Sequence, residues 1–302
     1  MTEPKRPMAE ANRISTLLKQ VLGPDRFPVK VDEVAVEYSR QRFPKSPVTK
    51  VDGQYLAGFD GMLTANASRS RWLILYNSAV QSEGRKRFTI AHEFGHYMLH
   101  TDQQDRFECG DADIETGGDR RDIETEADLF ASTLLMPLDD FRKQVTSQQV
   151  SFDLLGHCAN RYGVSLTAAA LRWTEIAERR AVLVASRDDH MLWAKSNTAA
   201  FKSGAYFPTR KSTIEIPRTS AAHSGNFVNA SQTETVKASV WFAKEPDTTP
   251  LTVMTMVSEQ YDYTLTLLLM PDTEWRMPQH EDEEPLEDTF DRFIRNGQYP
   301  IR

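Results

Sequence analysis

The chain has 302 residues, 40% of them hydrophobic and 26% charged, which is typical of a globular protein with about two or three domains. Its net charge of −7 argues against a protein that coats nucleic acid, and its two cysteines are too few for a disulfide scaffold. No apolar run is long enough to span a bilayer, and the N-terminus lacks the apolar core of a signal peptide. We therefore expect a cytoplasmic protein that does not bind membranes.

The first half of the chain alternates between helical and strand-like patterns. Apolar residues at helical spacing predict a helix over residues 8–22, whereas residues 29–40 fit either a strand or a short helix. A polar segment at 101–120, rich in aspartate and glycine, predicts a loop. Further strands are expected over 54–64 and 71–77, and further helices over 84–100, 121–136 and 138–145.

The second half begins with a helix pair and then becomes rich in β-formers. The two helical patterns, within 151–180, resemble a helix-turn-helix. The second helix begins with threonine and three alanines at 167–170 rather than with polar or basic residues that read DNA, which favours a structural or docking role. From Ala181 onwards, short runs predict a mainly antiparallel β domain, with strands that include 213–217 and 238–243.

The strongest chemical signal is His92-Glu93-Phe94-Gly95-His96, an H-E-x-x-H motif. On a helix, residues four apart lie on the same face, so the two imidazoles can bind one Zn²⁺ ion. Glu93 is then placed to take a proton from water that the metal activates and to return it to the leaving amine. The motif therefore predicts a metal-dependent hydrolase, with Mn²⁺ as the alternative to Zn²⁺.

A third protein ligand is needed, and neither source close to the motif supplies it. The metzincin extension is missing, because Leu99 and Asp102 stand where that pattern has glycine and histidine. His100 lies about 12 Å from His92 along an ideal helix, which is too far for one ion to bridge. The third ligand is therefore expected from another element.

The helix predicted next along the chain offers carboxylates. Glu124 and Asp128 are four residues apart and share one face. We expect Glu124 to bind the metal and Asp128 to accept a hydrogen bond from a ligand imidazole, which fixes the tautomer of that ring. Glu126 points about 200° away from Glu124 on an ideal helix and is the less favoured ligand. The alternative without a functional role is that these acids are surface charges near a helix N-terminus.

The segments RFTIAHEFGHYMLH and ETEADLFASTLLMP together resemble the ImmA/IrrE metallopeptidases. This resemblance implies zinc at His92, His96 and Glu124, with Glu93 as the catalytic base. It also implies an intracellular protease that cleaves a helix-turn-helix transcriptional repressor in a stress or DNA-damage response. One branch of the family carries a GAF-like sensor at its C-terminus.

Combined with the coarse pattern, the resemblance predicts an α+β fold with four segments. The first is a zincin-like metallopeptidase domain over 1–148, and the second is a helix-turn-helix-like helical segment over 149–180. A β-rich domain over 181–272 is expected to act as a sensor or regulatory domain. The acidic residues of 273–302 predict a solvated tail.

Several residues near the motif have more than one candidate role. Cys109 lies in the predicted loop; its thiolate could be a fourth ligand that keeps the enzyme latent until the loop moves or the sulfur is oxidised, or the thiol could simply pack the loop. Tyr97 and His100 are candidates for binding substrate or stabilising an oxyanion. Basic residues at 85–87 are expected to be solvated at the start of the helix. The alternative is that they dock an acidic partner or a nucleic-acid effector, although the net charge does not indicate a nucleic acid.

The leading functional prediction is a cytosolic zinc endopeptidase that cleaves a helix-turn-helix repressor. The alternative is a non-proteolytic transcriptional regulator whose C-terminal domain binds a ligand or nucleic acid and whose zinc fold is a scaffold. A hydrolase of small molecules is a third interpretation, because water activated by zinc attacks many electrophiles.

Overall fold

The computed structural model describes residues 6–110, 119–209, 211–223, 231–258 and 262–272. The chain divides into two compact units. Met1–Gln149 with Gly156–Leu166 forms the first, and Val150–Leu155 with Thr167–Arg302 forms the second. The finer division into four segments stays a prediction, and the acidic segment 273–302 lies outside the described residues.

The first unit combines helices with a four-stranded mixed sheet. The strand order is β1-β3-β2-β4; β1 runs parallel to β3, and the other two pairs are antiparallel. The elements are α1 (Pro7–Leu22), α2 (Val31–Arg42), β1 (Val48–Gln54), β2 (Phe59–Ala65), β3 (Trp72–Asn77), α3 (Glu83–His100), β4 (Arg106–Gly110), α4 (Asp119–Leu135) and α5 (Leu138–Val145). Helix α6 (Phe152–Tyr162) contributes residues to both units.

Helix α3 lies between the sheet and α4, and its sequence explains how it begins and why it is buried. The hydroxyl of Ser82 caps the helix by accepting a hydrogen bond from the backbone N–H of Arg85 at 3.3 Å. Every residue from Ile90 to His100 is buried. The helix packs against β2 and β3 on one side and α4 on the other. Its second half is therefore a central element of the unit.

The structure settles one open prediction in the first unit and corrects two others. Residues 29–40, left open between strand and helix, contribute to α2. The strand predicted over 54–64 is divided between the end of β1 and β2. The predicted loop 101–120 contains strand β4, whose pairing with β2 the polar composition concealed, because Phe107 is its one buried apolar side chain among those described.

The second unit contains a five-stranded antiparallel sheet in the order β6-β5-β9-β8-β7. A cluster of aliphatic and aromatic side chains from β5, β8 and β9 packs with Trp241 and Phe242 to form its core. The elements are α7 (Leu166–Ile176), β5 (Arg180–Arg187), β6 (His190–Ser196), α8 (Thr198–Lys202), β7 (Ser231–Lys237), β8 (Pro250–Ser258) and β9 (Tyr263–Met270).

Two predicted strands of the second unit are wrong. Residues 238–243 begin with a 3₁₀ turn, Ala238–Val240, and their apolar character reflects burial of Trp241 and Phe242 rather than strand pairing. The segment 213–217 makes one isolated bridge, between Glu215 and His190. The sequence pattern missed β7, an edge strand of alternating exposure with few apolar residues.

The α+β class is confirmed, with a helical middle segment and a β-rich C-terminal region. Within the described ranges, no helix has both the length and the hydrophobicity needed to cross a bilayer.

Candidate metal centre

Close packing of α3 against α4 brings the predicted ligands together. A Cβ atom on Gly95 would lie 3.2 Å from the Cα and the carbonyl oxygen of Ala127, so glycine at this position favours the close approach of the helices. Glu124 and Asp128 lie on either side of Ala127 along α4. The close approach therefore places both acids beside the histidine-bearing face of α3.

Donor atoms of three side chains converge at one point. His92 Nε2 lies 3.0 Å from His96 Nε2 and 3.1 Å from Glu124 Oε2, and His96 Nε2 lies 3.4 Å from Glu124 Oε1. A tetrahedral zinc ion with nitrogen and oxygen ligands at about 2.0–2.1 Å would hold such atoms about 3.3–3.4 Å apart. Together with the sulfur of Cys109, the donor atoms all lie within 4.8 Å of one another.

The electrostatics of this cluster favour a bound cation. Burial lowers the pKa of His96 to about 4, so its ring is neutral at pH 7 and can offer a lone pair. Burial also opposes a charge on His92, but hydrogen bonds to Asp128 and Glu124 raise the pKa of His92 well above its usual value. Hydrogen bonds from both histidines hold the pKa of Glu124 far below its usual range despite burial. The carboxylates thus favour a positive charge on His92, and a metal ion would replace that proton.

Hydrogen bonds to the Nδ1 atoms orient both histidine rings. His92 Nδ1 lies 2.7 Å from Asp128 Oδ1, the contact predicted from the sequence. His96 Nδ1 lies 3.1 Å from His100 Nδ1, and His100 Nε2 lies 3.0 Å from Glu126 Oε2. A chain from Glu126 through His100 thus supports His96, and sequence reasoning missed it.

Strand β4 places Cys109 beside the same donors. The sulfur lies 3.5 Å from His96 Nε2 and 3.8 Å from Glu124 Oε2. Phe107, two residues earlier and so on the same strand face, stacks on the ring of His96 with centroids 4.6 Å apart. Cys109 is therefore held by a strand rather than by the loop predicted for it.

Glu93 is completely buried on α3 between the two histidines. A Cβ atom on Gly61 of β2 would lie 2.6 Å from Glu93 Oε1, so glycine at this position leaves room for the carboxylate. The sheet and the helix thus confine Glu93 beside the ligand cluster. This is the placement expected of a base fixed next to a metal.

The structure does not bring Tyr97 to the cluster. Its ring lies among Phe43, Trp72 and Phe94, and its hydroxyl donates a 2.8 Å hydrogen bond to the carbonyl of Ser46. Burial raises the pKa of Tyr97. The hydroxyl is thus committed to the core and is not placed to stabilise an oxyanion.

The basic residues 85–87 are each bonded within the first unit. Arg85 pairs with Asp60, Lys86 with Glu83, and Arg87 with the carbonyl of Gly163. These bonds hold the start of α3 in place and argue against an open basic patch for an effector.

Comparison with known proteins identifies this region. Residues 47–174 match the peptidase M78 model, described as the IrrE N-terminal-like domain. This part of the chain is an IrrE N-terminal-like domain. The match runs from just before β1 to residue 174 within α7 and includes His92, Glu93, His96 and Glu124. The resemblance inferred from the two motifs is confirmed, and the match supports a hydrolase of metallopeptidase type.

Similarity beyond this domain is structural. No curated protein matches the chain. A solved structure named Mycobacterium tuberculosis transcriptional regulator is similar over 88% of this chain and 75% of its own, with 13% identity and a TM-score of 0.54. At that identity the likeness concerns the fold alone.

Proposed function

We propose that this protein is a zinc-dependent endopeptidase with His92, His96 and Glu124 as metal ligands and Glu93 as general base. The observation that carries the proposal is the convergence of three buried donor groups beside a buried glutamate on the same helix. The family match supports peptide-bond hydrolysis. Two imidazoles and one carboxylate form a ligand set that catalytic zinc sites use, and Mn²⁺ is the alternative.

Different residues of the chain would transfer the proton and orient the metal ligands. A zinc ion at this site supplies a Lewis acid that polarises a carbonyl and makes water more acidic. The Glu93 carboxylate accepts a proton from the attacking water and then delivers it to the leaving amide nitrogen. Asp128 and His100 hold the rings of His92 and His96 in the tautomers that leave Nε2 able to bind.

We infer that the substrate is a helix-turn-helix transcriptional repressor, cleaved in the cytoplasm during a stress or DNA-damage response. The family resemblance supports this substrate class. Strand β4 supports an extended peptide, because it stands at the end of the sheet order and carries Cys109 next to the site. An edge strand can pair with a substrate segment through its backbone groups.

The test incubates the full chain with the repressor encoded beside it, with Zn²⁺, with Mn²⁺ and with a chelator. We expect a discrete fragment that forms only with metal. Glu93→Gln should retain metal but slow cleavage by about 10²–10⁴-fold, because it cannot accept the proton. Glu83→Gln, at the exposed start of the same helix, is the matched control and should cleave normally. Full cleavage by Glu93→Gln would remove the proposed base.

A non-proteolytic regulator is the second candidate, because the solved structure with a similar fold is named a transcriptional regulator. Helix α7 does not favour direct reading of DNA, since Thr167, Ala169 and Ala170 near its start are buried, and Arg172 is buried and paired with Glu175. If this candidate is correct, Glu93→Gln will change neither transcription of the target genes nor the length of the repressor.

A further inference from the structure

The register between β2 and β4 places the Cys109 side chain on the sheet face near the candidate metal ligands. Cys109 pairs with Gly61 across β2 and β4, and directly paired residues project to the same face of a sheet. A Cβ on Gly61 would point at Glu93 of α3, and Phe107 of β4 stacks on His96. Both observations show that this face of the sheet looks towards α3.

The sulfur also has the spacing of a zinc ligand. With sulfur at about 2.3 Å and nitrogen or oxygen at about 2.0–2.1 Å, a tetrahedral zinc ion separates the sulfur from its neighbours by about 3.6 Å. The observed separations are 3.5 Å to His96 Nε2 and 3.8 Å to Glu124 Oε2. Cys109 therefore fits the position that His92, His96 and Glu124 leave open.

We propose that Cys109 is a fourth metal ligand that closes the coordination sphere and keeps the peptidase latent. Catalytic zinc sites keep one position for water or substrate, whereas four protein ligands make a closed site. With the Cys109 sulfur bound, Glu93 has no water at that position to deprotonate. The ligand assignment rests on geometry alone, and the latency rests on the proposed peptidase function.

Cobalt spectroscopy tests the ligand assignment. Co²⁺ replaces Zn²⁺ in the purified full chain, because a cobalt–thiolate bond gives a near-ultraviolet charge-transfer band that imidazole and carboxylate ligands do not give. We compare wild type with Cys109→Ala and Cys109→Ser, with folding verified by circular dichroism. Cys158→Ala removes a fully buried thiol of α6 and is the control.

We expect the band in wild type and Cys158→Ala, and cobalt binding without the band in both Cys109 variants. A wild-type protein that binds cobalt without the band, or a Cys109 variant that keeps it, would overturn the assignment.

Binding of a small anion tests whether the sulfur blocks the open position. Acetohydroxamate, a metal-chelating anion, is titrated into the cobalt proteins and followed by the visible spectrum. We expect binding that is about tenfold or more tighter in Cys109→Ala than in wild type. Equal affinities of the two proteins for acetohydroxamate would overturn the proposal that the sulfur blocks this position.

The rate of repressor cleavage then tests latency and the proposed peptidase function separately. Faster cleavage by Cys109→Ala than by wild type is expected, and equal rates would overturn latency while leaving the peptidase in place. If neither protein cleaves, the proposed peptidase function fails, and the two cobalt measurements still decide the role of Cys109.

Discussion

The two units bury charged groups in different ways. In the first unit, His92, His96 and Glu124 direct their donor atoms to one point, which a metal ion could occupy. In the second unit, Arg180 and Glu245 satisfy each other at 2.5 Å, with a further bond from Arg180 to the carbonyl of Pro271. Buried charge in the first unit forms a possible metal site, whereas the buried charge pair in the second unit stabilises the fold.

The comparison assigns chemistry to the first unit. Its polar groups are arranged around a point that a metal ion can fill, and Glu93 is confined beside that point. The described core of the second unit is aliphatic and aromatic, and its sheet strands are joined by ordinary antiparallel pairing. The sensor role expected for this unit stays a prediction.

Removing a ligand should have the largest effect. Glu124→Ala is expected to lower zinc affinity by more than about 100-fold, since loss of a residue that only hydrogen-bonds to a ligand already costs about 10–100-fold. The increase in melting temperature that zinc gives to the wild type should disappear with it. Zinc competition with a chromogenic chelator and thermal melts measure both effects. An unchanged affinity would mean that Glu124 is not a ligand.

Breaking the charge pair of the second unit should lower the stability of the fold without changing zinc affinity. Glu245→Ala leaves the buried Arg180 without its carboxylate partner, so unfolding free energy should fall by about 3 kcal/mol or more. Urea denaturation measures this loss, and zinc affinity should stay at the wild-type value. If Glu245→Ala lost as much zinc affinity as Glu124→Ala, buried charge would not have different roles in the two units.

Variants of the acids that support the two histidine rings should have intermediate effects on zinc affinity. Asp128→Asn loses the charged acceptor of His92, and Glu126→Gln weakens the support that His100 gives to His96. Each change should reduce zinc affinity by about 10–100-fold. Glu175→Gln, an exposed acid paired with Arg172, is the control. If Glu126→Gln behaves like this control, the chain from Glu126 to His96 does not support the metal.

A smaller effect with a defined pH dependence is expected at Asp140. Arg161 and Tyr162 hydrogen-bond to this carboxylate and, despite partial burial, lower its pKa. A depressed pKa stabilises the fold above the unfolded value of about 3.9, and the contribution is lost as pH falls through the folded value. Asp140→Asn should therefore cost about 2 kcal/mol near neutral pH, and less in acid.

Urea midpoints of both proteins at neutral and acidic pH measure this difference. A gap that stays constant or widens as pH falls would contradict the assigned pKa direction.

The sequence predicted the ligands because they obey short-range rules. The spacing of His92 and His96 defines one helix face, and Glu124 and Asp128 share a face of the next helix. The role of Glu126 was missed because it was judged against Glu124 rather than against His100, one turn beyond His96. Tyr97, although adjacent to His96, points into the aromatic core, since neighbouring helix positions face different directions.

Longer-range pairing was harder to predict. Strands β4 and β7 have few apolar residues, and their pairing to β2 and β8 stabilises them in ways that local composition does not reveal. The contact between Cys109 and His96 depends on that pairing. Sequence alone therefore suggested the thiol as a ligand, but only the sheet register explains how it reaches the site.

Zinc-edge anomalous diffraction from crystals of the zinc-saturated protein tests the central claim most directly. We expect one strong peak about 2 Å from Nε2 of His92, from Nε2 of His96 and from an oxygen of Glu124. A protein that binds no zinc, or a peak away from these three side chains, would contradict it.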